Sequence, residues 1–565
     1  MELYIERTTV TAGVGQSLKD LIAKNGLDSN SFSDRPIAAK IAGEVFNLNY
    51  IPVRSNEECD DRQSVRRAMA ASGGNVSLLR YTDPVGRDVY MRTAQFGIFL
   101  ALHNLYPNAR AKMNCTVGRS LFVEVDDPTF SAEALKKELE ALVAQDLPLF
   151  RRRVPIADAI ARYKNCGWND KSRLLGWRNV PYFDEYYCGD FSDYYYGELA
   201  PSLGYLQVWD ILAADGGFMF LFPEDSHPFA LSKYEDMPRF LKVSTEGERW
   251  CELMECETVA DLNELVQTGR IRELIRINEA LHEKRYAQVA DMICSGNAKV
   301  VMLAGPSSSG KTTSANRLAT QLRILGKKPI LMSLDDYYLD RDLIAPGPDG
   351  TIDFEHINTI DTELFKEHLQ KLLQGQSVAL PSFNFKTGKR EWNGHELRMD
   401  ETTVFIIEGL HALNPVLLPD SIDKHFVFKL YVSPLLPLNL DDHNRIPTSM
   451  LRLLRRTVRD FETRGASVQK TMSMWDSVRR GEKRWIFPFQ ESADVIFNSS
   501  TLYELAVLKK HIYPLLLDIM PEDPYYEAVR GIVKILNYVV EADVDDEIPP
   551  TSLVREFIGG NSFYK

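Results

Sequence analysis

Val300-Val301-Met302-Leu303-Ala304-Gly305-Pro306-Ser307-Ser308-Ser309-Gly310-Lys311-Thr312-Thr313 is the stretch on which the fold turns. Its first five residues are apolar and suit a buried strand, while Ala315, Arg317, Leu318, Ala319, Gln321 and Leu322 beyond it are helix formers. Between them stands a complete G-x-x-x-x-G-K-S/T pattern. Strand, glycine-bounded loop and helix in this order make a phosphate-binding loop. Gly305 and Gly310 let the backbone wrap an anion, so that loop N–H groups and the helix N-terminus point at phosphates. Lys311 adds a point charge there and Thr312 offers a hydroxyl to Mg²⁺. A nucleoside triphosphate is the predicted ligand.

With 565 residues the chain exceeds one core, and roughly 150 residues per domain predicts three or four. A net charge of −13 and a pI near 5.4 argue against a large nucleic-acid footprint. No apolar run reaches the roughly 18 residues that span a bilayer, and Met1 to Val10 lacks the apolar core of a signal peptide. A cytoplasmic protein is expected. Cys59, Cys115, Cys166, Cys188, Cys251, Cys256 and Cys294 form no C-x-x-C pair, so reduced structural thiols are expected rather than disulfides or a zinc site.

Residues 1–58 read as a small α+β unit, with a strand around Leu3 to Val10, a helix from Ser17 to Asn25, and strands at Ile37 to Ile41 and Glu44 to Leu48. Through Gly15-Gln16-Ser17-Leu18-Lys19-Asp20-Leu21 and Ile37-Ala38-Ala39-Lys40-Ile41-Ala42-Gly43 this unit resembles a TGS domain, the β-grasp module that opens threonyl-tRNA synthetases. A plain packing domain is the alternative. Residues 60–235 resemble the second, editing domain of those synthetases through Arg92-Thr93-Ala94-Gln95-Phe96, Leu105-Tyr106-Pro107, Pro148-Leu149-Phe150-Arg151-Arg152 and Asp193-Tyr194-Tyr195-Tyr196-Gly197. The family's editing site uses a His-x-x-x-His and a Cys-x-x-x-His pair, and the aligned positions here are Arg92, Phe96, Tyr195 and Leu199. No imidazole or thiolate is left to position a water or a metal, which implies a fold kept without its hydrolysis. The cluster Tyr182, Phe183, Tyr186, Tyr187, Phe191, Tyr194, Tyr195, Tyr196 is either packing or a binding surface.

Residues 236–295 follow a helical pattern and are expected to form a connector. From 298 to 517, strands at Val300 to Ala304, Pro329 to Ser333, Thr403 to Ile407, Phe426 to Val432 and Val495 to Asn498 alternate with helices. That alternation predicts a multidomain α/β protein whose P-loop domain has a mostly parallel sheet covered on both faces. Residues 518–565 read as a helix and an acidic tail.

Asp335 and Asp336 follow an apolar strand, and ligands of open α/β sheets sit at such carboxyl ends. A carboxylate there can accept the proton of an attacking hydroxyl or hold Mg²⁺ through water; a turn or helix cap is the plainer use. Glu408 ends a second apolar strand as a lone acid suited to Mg²⁺, or simply solvated. Arg452, Arg455, Arg456 and Arg459 share one helix face, with Arg464-Gly465 at its end, and such a face can close over a triphosphate as a lid or lie at the surface.

Together with Asp353-Phe354-Glu355-His356, Pro381-Ser382-Phe383-Asn384-Phe385 and Ala493-Asp494-Val495-Ile496, these motifs make 298–517 resemble the uridine kinase and phosphoribulokinase family. The resemblance implies ATP and Mg²⁺, with Asp335 and Lys311 catalytic and Asp335 the base toward a sugar 5′-hydroxyl. It implies nucleotide contacts from Gly305, Pro306, Ser307, Ser308, Ser309, Gly310, Lys311, Thr312, Thr313, Arg459 and Arg464, and metal contacts from Thr312 and Glu408. Asp335, Tyr338, Glu355, Phe383, Phe385 and Arg456 are expected at the acceptor, Glu355 replacing a ribose-binding Asp. The pyrimidine-reading side chains of uridine–cytidine kinases are absent, their aligned positions being Phe383, Gly388, Ala466 and Met474. A site that loses its hydrogen-bonding partners for a base loses that discrimination.

The expected activity is a nucleoside kinase of the uridine kinase type. One alternative is a sugar or sugar-phosphate kinase using Lys386, Lys389 and Arg390; the other is a nucleotide-gated protein whose N-terminal half contacts RNA. A homo-oligomer is open under each.

Overall fold

Val300–Ala304 is wholly buried and lies at the centre of an all-parallel five-stranded sheet, in a computed structural model describing residues 2–41, 43–53, 74–178, 180–225, 227–344 and 353–563. The strand order is Lys328–Ser333, Thr403–Glu408, Val300–Ala304, Val427–Ser433, Val495–Asn498. All five predicted strands are present within a residue or so of their expected ends. Alternate side chains of the central strand enter different cores, as the period of two requires. Val301 and Leu303 pack with Leu318 and Leu322 of the loop helix Lys311–Ile324 and with Tyr286 and Ile293 of the helix Ile271–Ser295. Val300 and Met302 face Phe365 and Leu369 of Thr362–Leu373 and Phe240 of Pro238–Leu253. The expected connector is three helices, Pro238–Leu253, Val259–Gln267 and Ile271–Ser295, and it helps to cover both faces of this sheet.

The N-terminal unit is a five-stranded mixed sheet ordered Thr8–Thr11, Glu2–Ile5, Asn75–Leu79, Ala38–Ile41, Glu44–Asn47. Two expectations are corrected here. The strand drawn through Leu3 to Val10 is a hairpin, turning at Glu6 and Arg7 with φ of 43° and 74°. Its middle strand comes from Asn75–Leu79, so the unit extends past residue 58. The helix is Leu18–Lys24, with Ser17 as N-cap in a capping box with Asp20 and Asn25 as C-cap.

Beyond it, the long helix Pro84–Leu105 packs between a four-stranded antiparallel sheet (Arg110–Val117, Ser120–Asp126, Asp210–Ala214, Gly217–Leu221) and a three-stranded one (Phe150–Pro155, Tyr182–Cys188, Phe191–Asp193). The tail is folded rather than loose. Tyr526–Leu536 is helical, and Val544, Ile548, Leu553 and Phe557 beyond it are buried. Its acidic run is matched by cations, Glu547 with Arg272 and Arg276, and Asp543 and Asp545 with Lys510. Six cysteines are free thiols, and Cys59 lies outside the described residues. No helix among the described residues is long and apolar enough to cross a membrane.

Candidate active site

The phosphate loop is shaped by its two glycines. A Cβ on Gly305 would stand 2.1 Å from the Val432 carbonyl oxygen, and Gly310 caps the loop helix at φ 87°. Lys311 therefore begins the helix beyond the carboxyl end of the central strand, where its ammonium donates to the Pro306 carbonyl at 3.2 Å. Burial lowers its pKa, against the pull of Glu408 and Asp335.

Glu408 ends one strand and Asp335 follows the end of its parallel neighbour, with Ser333 in register with Glu408 and Glu408 with Leu303. Asp335 and Asp336 occupy a short 3₁₀ turn and part there: Asp336 accepts the Phe383 N–H at 3.1 Å, whereas Asp335 faces Lys311. Burial raises the pKa of Asp335, with Lys311 opposing. Glu408 accepts the Thr312 hydroxyl at 3.2 Å, and burial, then Asp335, pushes its pKa up to about 7. No cation forms an ion pair with Glu408 among the described residues. Mg²⁺ takes few protein carboxylates and completes its shell with water and substrate phosphates, and Thr312 with Glu408 fit that demand.

Glu355 sits on Gly481, where a Cβ would approach its own Cβ to 2.4 Å. Burial pushes Glu355 up to about 7, opposed by Arg456 and helped by Glu482. Nearby, the ring of Tyr338 lies 5.6 Å from Phe383 and 6.4 Å from Phe385, edge to face. Phe385 is exposed and Phe383 buried, so the trio forms one apolar wall running from the core to the surface. Gly388 has φ 71° with Arg341 lying over it, and Arg341 donates to the Phe385 carbonyl at 2.8 Å.

The arginine helix is Thr448–Arg464, ended by Gly465 at φ 62°. Its arginines divide into two groups. Arg452 and Arg455 are fully buried, forked onto Glu482 and Glu504, and both donate to phosphate-loop carbonyls, those of Ser307 and Ser308. This half of the face braces the loop rather than closing over a ligand. Arg456 donates to the Ser307 hydroxyl at 2.9 Å, and Arg456, Arg459 and Arg464 all pair with the buried Asp460. One carboxylate thus anchors three guanidinium groups at the cleft.

Three further residues belong to this site and carry no motif. Glu482 accepts the Ser307 N–H at 3.1 Å. His411 is buried beyond Glu408, and burial takes its pKa down to about 4. Glu556, from the tail helix Arg555–Ile558, accepts the Thr313 hydroxyl at 2.7 Å and its N–H at 3.3 Å. Glu556 lies more than two hundred residues from Thr313 in the chain, a pairing no local pattern announces.

Residues 300–506 match the phosphoribulokinase / uridine kinase family. A uridine kinase of Brevibacillus brevis is 29% identical over 202 residues, covering 36% of this chain and 85% of that protein. Another, of Vibrio vulnificus, is 29% identical over 222 residues, 38% of this chain and 95% of its own. Among solved structures, a D-glycerate 3-kinase of Cryptococcus neoformans is 18% identical and covers 47% of this chain and 89% of that one, at a TM-score of 0.20. The matched segment holds the phosphate loop, both acid-ended strands and the arginine helix, so residues 300–506 are a phosphoribulokinase/uridine kinase family domain, and the protein is a phosphotransferase with an alcohol acceptor.

Proposed function

We propose that the protein is an ATP-dependent nucleoside kinase. The observation that carries this is the placing of Asp335 and Glu408 at the ends of adjacent parallel strands, with Lys311 facing both. The loop amides and Lys311 hold the β- and γ-phosphates, and Asp335 accepts the proton of the acceptor hydroxyl as the γ-phosphoryl group moves to it. Mg²⁺ held by Thr312 and Glu408 supplies neutralisation of the phosphate charge. Arg459 and Arg464 reach the triphosphate from the lid, while Glu355 and Arg456 serve the sugar and Tyr338, Phe383 and Phe385 the ring. The uridine kinase names of the relatives support a nucleoside, and the apolar wall supports a flat ring without fixing which base. A sugar-phosphate acceptor is less well provided for. Arg390 is spent on Asp361 at 3.0 Å and on the Tyr337 and Tyr338 carbonyls, which leaves the exposed Lys386 and Lys389.

In the same proposal the N-terminal half is a TGS-like sheet and an editing-like unit without hydrolytic residues, in a cytoplasmic protein. Arg92, Phe96 and Tyr195 support it by their placing: Phe96 and Tyr195 have ring centroids 6.3 Å apart, and Arg92 lies against Gly197. The test is ADP release with Mg-ATP across uridine, cytidine, purine nucleosides, deoxynucleosides, pentoses and pentose phosphates. Turnover with a nucleoside that Asp335→Asn abolishes, ATP binding being kept, bears the proposal out. Turnover with a sugar or sugar phosphate alone overturns it.

A further inference from the structure

A cavity of about 850 Å³ opens apart from the phosphate loop, and no described residue between 298 and 517 lines it. One wall comes from the helix Pro84–Leu105 and the loop after Phe191–Asp193, the other from the helix Tyr526–Leu536 that follows the kinase domain. It has the volume of a small-ligand site.

Its charges do not cancel. Arg151 takes Asp184 at 2.7 Å and Glu198 at 3.0 Å, and Lys40 takes Glu527 at 3.1 Å. Among the described residues, Arg92, Arg178, Arg530 and Lys534 have no carboxylate in ion-pair range, yet all four line the cavity. Three of them are held by other means: Arg92 donates to the Glu198 carbonyl at 3.0 Å, Arg178 donates to the Tyr538 hydroxyl at 2.9 Å, and Arg530 lies 5.9 Å from the Tyr526 ring centroid. The acids left over are Asp88 and Glu44, both exposed. Tyrosines complete the lining, with Tyr182 more than half exposed. Four placed cations suit a dianionic phosphate better than one carboxylate, and tyrosine faces suit a flat ring.

We propose that this cavity is a second ligand site, for a mononucleotide, its phosphate held by Arg92, Arg178, Arg530 and Lys534 and its base stacked on the tyrosines. The site is composite, since Arg530 and Lys534 come from beyond the kinase domain, and it does not depend on what that domain phosphorylates.

Calorimetric titration of the full-length protein with AMP, CMP, GMP and UMP tests it, with inorganic phosphate and uncharged nucleosides as half-ligands. At least one mononucleotide is expected to bind more tightly than either half. That binding should survive Lys311→Met and weaken tenfold or more in Arg530→Met and Tyr182→Ala, which change exposed side chains and should leave Tm unmoved. No binding by any of the four overturns the proposal. So does binding that Lys311→Met removes and Arg530→Met leaves intact, which would place it at the phosphate loop. Displacement of the nucleotide by a single-stranded RNA at far lower concentration would overturn it in favour of a nucleic-acid end.

Discussion

Two lysines, Lys311 and Lys171, stand among acids, and their surroundings are built on opposite terms. Lys171 reaches Asp193 at 2.7 Å and Asp441 at 3.0 Å; Asp193 also meets His443 Nδ1 at 2.6 Å, and Asp441 accepts the Tyr194 hydroxyl at 2.7 Å. Burial acts against the charge on Asp193, but Lys171 and His443 prevail and hold its pKa at about 2. Among the described residues Lys311 has a carbonyl at 3.2 Å and no ion pair, and Asp335 and Glu408 near it, though they feel its charge, form no ion pair and have raised pKa values. Charges that satisfy one another hold structure together; charges left short of partners await a ligand. The Lys171 cluster fastens the N-terminal half to the Asn439–Asp441 strand and its partner Asn444–Arg445, a few residues before the arginine helix.

The comparison breaks if the two lysines respond alike. Asp335→Asn and Lys311→Ala should each lower turnover by about 10³-fold or more, with the thermal transition not lowered, as judged by steady-state rates and calorimetry. Lys171→Met should do the reverse, destabilising the fold by about 3–5 kcal/mol in denaturant titrations because Asp193 and Asp441 stay buried without their cation. The folded fraction should turn over as the parent does. A Lys171→Met protein of full stability and no activity would invert the assignment.

The kinase sheet was legible because five apolar runs alternate with helical ones and each strand runs straight; the acids and the glycine loop mark their own places. The arginine helix was half legible. Spacing puts Arg452, Arg455, Arg456 and Arg459 on one face, but what that face meets depends on Glu482 and Glu504, set by packing over distance. The order of the tail was not legible, since the acidic run hides buried Val544 and Ile548 and is paired with cations from two other helices. At the N-terminus the hydrophobic alternation continues through a two-residue turn whose left-handed Glu6 and Arg7 have no turn signature, so one strand was read for two.

Glu355 sharpens the comparison through pH. Its pKa is about 7 in the fold and near the ordinary 4.5 when unfolded, so the folded state holds its proton more tightly. Stability from this group is fully present below pH 4.5 and is lost as pH rises to 7. Glu355→Gln should therefore match the parent near pH 4.5 and exceed its stability at pH 8. If the ionised carboxylate receives the acceptor's hydroxyls, kcat/KM for the acceptor should fall below pH 7 in the parent, and Glu355→Gln should lose that limb. A limb identical in both proteins would assign it to another acid.

Glu556 gives the smallest effect and the finest test, because it is a charge from the tail set against the first turn that phosphates use. Its carboxylate takes the Thr313 hydroxyl at 2.7 Å and N–H at 3.3 Å, and its field acts on both Lys311 and Glu408. The loop helix presents its N–H groups to an anion, so a negative side chain at that turn opposes nucleotide binding. Glu556→Gln keeps an acceptor for the hydroxyl and removes only the charge. The KM for ATP should fall by about fivefold, the size of a partly screened charge interaction of about 1 kcal/mol, with kcat unchanged and the gap narrowing at high salt. An unchanged KM would make Glu556 a cap on Thr313 and nothing more. A raised KM would mean that the tail orders the loop, and then Glu556 would belong with the paired charges of the Lys171 cluster rather than with the unpaired ones around Lys311.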